Sequence, residues 1–112
     1  PQSRCVRSVR WVLSTAVLDV QGDVDIRRCG EFQQSVLAVL DRKPRSVVVN
    51  LSDVSYMDSA GVASLVKCLA RARAQHVSLR LTGLSERVRG IFEITRLDGI
   101  FDIRPTVEEA AA

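Results

Sequence analysis

The sequence predicts a single mixed α/β domain of order β-β-α-β-α-β-α-β, with a central sheet of about four to five strands and three or more helices. Three observations carry this prediction. Val47-Val48-Val49 forms an uninterrupted apolar run, the pattern of a strand buried on both faces, which needs a parallel sheet covered by helices. Val62, Leu65, Val66 and Leu69 recur at the spacing of one helix face. Val77, Leu79 and Leu81 alternate with Ser78, Arg80 and Thr82, the period of a half-buried strand. The chain has 112 residues, 46% apolar and 26% charged, so one core is possible and a second domain is not.

Taken in order, Val6 to Leu13 and Ala16 to Gln21 are β-prone stretches parted by Ser14-Thr15, and they read as an antiparallel pair. Gly22-Asp23 breaks that pattern. Phe32, Val36, Val39 and Leu40 then share one face of a first helix, which Lys43-Pro44 terminates. Ser46 to Leu51 is the central strand, and a polar loop from Asp53 to Asp58 leads to an amphipathic second helix, Ser59 to Ala74. Its basic end, Lys67, Arg71 and Arg73, suits the negative pole of the helix dipole. The alternating strand ends at Gly83, Ser85 caps a third helix that stops near Thr95, and Ile100 to Ile103 is a short edge strand halted by Pro105. The core is expected over 6–104, with 105–112 as a flexible tail.

Composition excludes several roles. Apolar runs such as Val36 to Leu40 fall far short of the roughly 20 residues that span a bilayer. The first residues lack the apolar core and cleavage site of a secretion signal, and Pro1 in place of a starting methionine fits a processed chain or a piece of a longer one. Cys5, Cys29 and Cys68 match neither a disulfide framework nor zinc-ligand pairs, so they read as reduced thiols of a cytoplasmic protein. The net charge of +3 is spread from Arg4 to Arg104, and Trp11, Phe32, Tyr56, Phe92 and Phe101 are scattered. Direct nucleic-acid binding, which wants a basic stripe with stacking aromatics, is not expected.

The most informative stretch runs from Asn50 to Val62, where a buried strand and polar loop deliver Asp58-Ser59 to a helix start. Unpaired N–H groups and the helix dipole make that position hospitable to anions. Small Ala60 and Gly61 are expected to leave the approach to Ser59 open, and the plainer reading makes Asp58 or Ser59 simply an N-cap.

Gly22-Asp23-Val24-Asp25, the segment Asp53-Val54-Ser55-Tyr56-Met57-Asp58-Ser59-Ala60-Gly61-Val62, and the distal stretches Leu84 to Arg89 and Phe92 to Asp98 resemble the bacterial anti-sigma factor antagonists of the STAS (sulphate transporter and anti-sigma antagonist) family. The resemblance runs from about Trp11 to Ile103. It implies a non-enzymatic STAS domain whose Ser59 is phosphorylated by a partner anti-sigma factor with serine kinase activity. It implies further that the unphosphorylated form binds this partner and frees a sigma factor. Asp23, Asp25, Asp58, Ser59, Ala60, Gly61 and Val62 form the implied partner-binding region, Asp25 aligning with an aspartate near the serine. Many members carry serine or threonine where Ala60 stands. The family also includes transporter subunits, among them ABC-type lipid systems in which the same helix docks on an ATPase, and that is the alternative.

Catalysis at Ser59 would need a base, and the single histidine, His76, falls at the far end of a helix about 24 Å long. Asp23 and Asp25 lack the further ligands and loop glycine of a cation site, so no metal is expected. The glycines stand singly, with no phosphate-cradling loop, so no cofactor is expected and any nucleotide belongs to the partner.

Overall fold

The computed structural model describes residues 5–112; Pro1 to Arg4 of the expected single domain lie outside the described residues. The elements are β1 (Val6–Val12), β2 (Thr15–Val24), α1 (Cys29–Leu40), β3 (Ser46–Met57), α2 (Ser59–Ala74), β4 (Ser78–Thr82), α3 (Glu86–Ile94), β5 (Asp102–Arg104) and α4 (Val107–Ala111). The sheet order is β1-β2-β3-β4-β5. β1 is antiparallel to β2 and every other neighbouring pair is parallel, each parallel step crossing over through α1, α2 or α3.

One face of the sheet carries the main core. Leu18, Val20, Val47, Val49 and Leu81 pack there with Phe32, Val36, Leu40, Val62, Leu65, Val88 and Phe92 from the three long helices. Each such side chain, wholly removed from water, contributes about 1.5–3 kcal/mol of transfer free energy. Phe92 meets Phe101 edge to face with ring centroids 5.4 Å apart, which seats the chain entering β5. β5 is accordingly shorter than the expected Ile100 to Ile103 strand, because Phe101 turns inward before the ladder begins.

The opposite face corrects one expectation. Residues 105–112 are not a frayed tail, since Val107–Ala111 form α4 and bury Ala110 against Val17 and Val48. Two fully buried valines on that face require a cover. Thr106 caps the helix by accepting from the Glu109 N–H at 3.2 Å, and the Arg80 guanidinium donates to the carbonyls of Ala110 and Ala112 at 2.8 and 3.0 Å. On the same face the Asp19 carboxylate, only 7% exposed, is held by Arg10 at 2.7 Å, by Ser8 at 2.8 Å and by Asn50 at 2.8 Å. A buried carboxylate so supplied with donors satisfies its lone pairs and joins β1, β2 and β3.

A second correction concerns the approach to α2. The expected Asp53 to Asp58 loop is strand as far as Met57, and β2 continues through Gly22-Asp23 to Val24. Asp53 pairs with Gln21, Val54 with Gly22, Tyr56 with Asp23 and Met57 with Val24, across register shifts on either side of Gln21-Gly22. Gly22 has φ +77°, which lets the strand bulge and then resume pairing. Val54 and Met57 are buried, and that burial holds an otherwise polar segment to the sheet.

Candidate functional site

β3 carries the chain to the rim of the sheet and buries Met57, so the next residue begins a helix at a fixed place. Asp58 adopts the extended backbone of an N-cap, and its two oxygens serve two segments. One accepts from the Gly61 N–H inside α2 at 3.0 Å; the other accepts from the Ile26 N–H in the turn after β2, also at 3.0 Å. The Asp58 N–H closes the junction by donating to the Val24 carbonyl at 3.4 Å. Ser59 follows as the first helical residue and is exposed. Val62 N–H bonds the Asp58 carbonyl, so the first-turn amides of Ser59 and Ala60 are those facing solvent at the helix's positive end.

Gly61 and Val62 depart from the expected partner-binding role, because both are buried. A Cβ on Gly61 would run into the Val24 carbonyl oxygen and come within 2.8 Å of Met57 Cγ. The glycine therefore lets α2 lie close on the end of β2; it does not open a path to Ser59. Val62 is wholly within the core. Ala60 is half-buried and remains at the rim.

Asp25 shapes the turn beside this helix start. Its Oδ1 accepts from the Arg27 and Arg28 N–H groups at 3.0 and 3.2 Å, and the Arg27 guanidinium lies 3.3 Å from Oδ2. Burial would raise the Asp25 pKa, but the Arg27 side chain and these two amides outweigh it and hold the carboxyl below its ordinary value. Asp23 accepts from the Ser55 hydroxyl at 3.2 Å across the β2–β3 ladder. Asp23, Asp25, Asp58 and Ser59 thus lie on two adjoining segments of one rim.

The structure adds two residues that sequence reasoning missed. Ile26 is 71% exposed although its N–H is tied to Asp58, and Tyr56, opposite Asp23, is 42% exposed. A lone large apolar residue between Asp25 and Arg27 in a polar turn was the available signal for Ile26. His76 stands in the turn after α2, exposed and with φ +59°, a full helix length from Ser59. Among the described residues no cluster of His, Cys, Asp and Glu is placed to hold a metal ion, and no helix is long and apolar enough to cross a membrane.

An exposed serine at a helix start, flanked by an exposed isoleucine, makes this rim a surface suited to binding another macromolecule. The chain belongs to the STAS domain family, whose profile matches residues 8–110. It is 30% identical over 89 residues, 80% of this chain and 82% of the other, to the anti-sigma-B factor antagonist of Staphylococcus epidermidis. It shares its fold with an anti-sigma factor antagonist from Mycobacterium paratuberculosis at 23% identity and TM-score 0.84, covering 93% of this chain and 88% of that one. It also matches the phosphorylated form of the Bacillus cell fate determinant SpoIIAA at 22% identity and TM-score 0.68, over 93% and 95% of the two chains.

Proposed function

We propose that the protein is a cytoplasmic anti-sigma factor antagonist that binds an anti-sigma factor with serine kinase activity when Ser59 is free and loses that partner when Ser59 is phosphorylated. The observation that carries the reading is the exposed Ser59 hydroxyl at the first position of α2, mounted on a doubly bonded Asp58 and flanked by exposed Ile26. The 30% identity to an anti-sigma-B factor antagonist supports the same reading. Ile26, Tyr56 and Ala60 supply apolar contact; Asp23 and Asp25 supply charge at the edge of that contact. The nucleotide belongs to the partner.

The physics favours a switch in recognition over a switch in folding. A phosphate adds about −1.5 to −2 charges at pH 7. The helix start and its open amides offset about 0.3–1 kcal/mol of the cost. Repulsion from the Asp58 carboxylate, for a pair about 4 Å apart, is about 1 kcal/mol per unit charge in water and about 4 kcal/mol where a partner lowers the effective dielectric to about 20. The free domain tolerates the first figure. The complex suffers the second, and each 1.4 kcal/mol or so weakens it tenfold.

The test is phosphate mapping by mass spectrometry after incubation with a cognate serine kinase and ATP, together with partner titrations of Ser59→Ala and Ser59→Asp. We expect label on Ser59, binding retained by Ser59→Ala, and binding lost by Ser59→Asp with an unchanged thermal melt. Label elsewhere under an active kinase, or an early melt of Ser59→Asp, sinks the proposal. Recovery of a transporter ATPase and permease from native lysate, with no anti-sigma factor, replaces it with the transporter reading.

A further inference from the structure

The two edges of the sheet are treated very differently. β5 is three residues long and closed by the Asp102–Arg104 ion pair at 2.6 Å, which is how proteins blunt an edge against further pairing. β1 is seven residues long, about 23 Å at 3.3 Å per residue, and no strand lies on its outer side among the described residues. It also carries exposed Val9, Trp11 and Val12, at 42%, 40% and 46%. Its two arginines do not guard it, because Arg10 is drawn onto Asp19 at 2.7 Å and Arg7 onto Asp53 at 2.8 Å. Beside β1, toward α1, lies a groove of about 740 Å³ lined by Val6, Val9, Gln34, Ala38, Val39 and Arg42.

We propose that two copies of this chain associate about a two-fold axis at Val9, pairing β1 antiparallel with the partner's β1 and laying α1 along the partner's α1. Strand periodicity limits the choices, since a two-fold normal to the sheet preserves faces and so places some residue opposite itself. Centring on Arg10 would oppose two guanidinium groups directly, which is unfavourable. Centring on Val9 opposes Val9 to Val9 of the partner subunit and Ser8 to Arg10 of the partner subunit, within the regular stretch of β1 that follows the register shift between Val6 and Ser8. Apolar meets apolar at the axis, and a hydroxyl meets a guanidinium on either side of it.

The helices follow the same symmetry. α1 runs alongside β1 in the same direction, since Cys5 Sγ lies 3.8 Å from the Arg28 carbonyl at one end and the Arg42 guanidinium sits 5.0 Å over Trp11 at the other. The two-fold therefore sets α1 antiparallel to its copy. Glu31 near its start then faces Arg42 of the partner subunit beyond its end, twice over, with Gln34, Ser35 and Ala38 between them. A helix face complementary to itself in charge, beside a strand complementary to itself in pattern, names a second copy as the occupant. The seam includes none of Ile26, Asp58 or Ser59, so the inference does not depend on the reading of Ser59.

Sedimentation equilibrium on the unmodified chain should give twice the 12.4 kDa protomer mass as concentration rises. Val9→Lys, which sets two ammonium groups across the axis, should weaken self-association at least about tenfold with an unchanged circular dichroism melt. Leu13→Lys, in the turn beyond the seam where Leu13 is 96% exposed, should leave it unchanged and separates strand pairing from general stickiness. Hydrogen exchange on the unmodified chain supplies a reading free of mutation, with β1 amides gaining protection as concentration rises while β5 amides do not. A monomer up to about 1 mM, a dimer indifferent to Val9→Lys, an equal effect of Leu13→Lys, or protection that appears at β5 would each overturn the proposal.

Discussion

Replacing Asp58 by alanine removes both hydrogen bonds that its carboxylate accepts, from Gly61 N–H and from Ile26 N–H, each 3.0 Å long. Loss of a helix N-cap costs about 1 kcal/mol. The second bond, to a charged acceptor at a half-exposed site, is worth about 1.5 kcal/mol, the low end of its class. The sum, about 2.5 kcal/mol, is a large part of the 5–15 kcal/mol or so that holds a domain together. At about 4 °C per kcal/mol for a chain of this length, Tm should fall by about 10 °C. Asp58→Asn keeps one acceptor oxygen and should lose about half as much. Circular dichroism melts at neutral pH measure the shift, and hydrogen exchange should show the Ile26 and Gly61 amides losing protection together. An alanine variant whose Tm falls by only about 4 °C or less, the loss that a lone cap predicts, would refute the two-segment role.

Further outcomes are expected from the same structure. Gly61→Ala should destabilise by about 1–3 kcal/mol, since its Cβ meets the Val24 carbonyl and Met57, whereas Gly90→Ala, with open space within α3, should stabilise by about 0.5–1 kcal/mol; paired calorimetric scans should show opposite signs. Asp19 is held well below the usual carboxylate range by Arg10 first, with Asn50 and Ser8, against the opposing effect of burial. The unfolded chain therefore takes up that proton first as pH falls, so this contribution is present at neutral pH and lost below about pH 4. Urea unfolding of Asp19→Asn should show a flatter acid limb. Burial pushes the Cys68 thiol up to about 12 and Cys5 is also buried, its pKa raised chiefly by desolvation, while Cys29 is partly exposed. Native alkylation followed by mass spectrometry should label Cys29 first and the other two only on unfolding.

Much of this architecture was legible because the strongest patterns are also the most buried. α2 occupies Ser59–Ala74, as its periodicity and cap predict, and Val47-Val48-Val49 is wholly buried in a strand parallel to both neighbours. Ser85 caps α3 through the Val88 N–H at 3.2 Å. The failures share a cause, which is that tertiary pairing overrode local polarity. Asp53 and Ser55 read as loop residues, but cross-strand pairing with β2 and the burial of Val54 and Met57 keep them in β3. α4 is five residues of Val, Glu and Ala, too short for a periodic signal, although Thr106-Val107-Glu108-Glu109 carries the spacing of a capping box. Asp23, Asp25, Asp58 and Ser59 were singled out by order along the chain, and the structure sets them on adjoining segments. Gly61 and Val62 were misread because small size and motif membership do not say which way a residue faces.

The three capped helices differ in how freely their first residue can drift. Ser85 and Thr106 each satisfy one amide, from Val88 and Glu109, so any short side chain with a single acceptor would serve them. Asp58 answers to two masters in separate parts of the chain, and serine, threonine and asparagine each bring one oxygen too few. Under saturation mutagenesis sorted for resistance to heat, aspartate should be enriched more strongly at position 58 than any single residue at 85 or 106. The residue beside Ser59 would then be kept by foldability, whatever becomes of Ser59 itself.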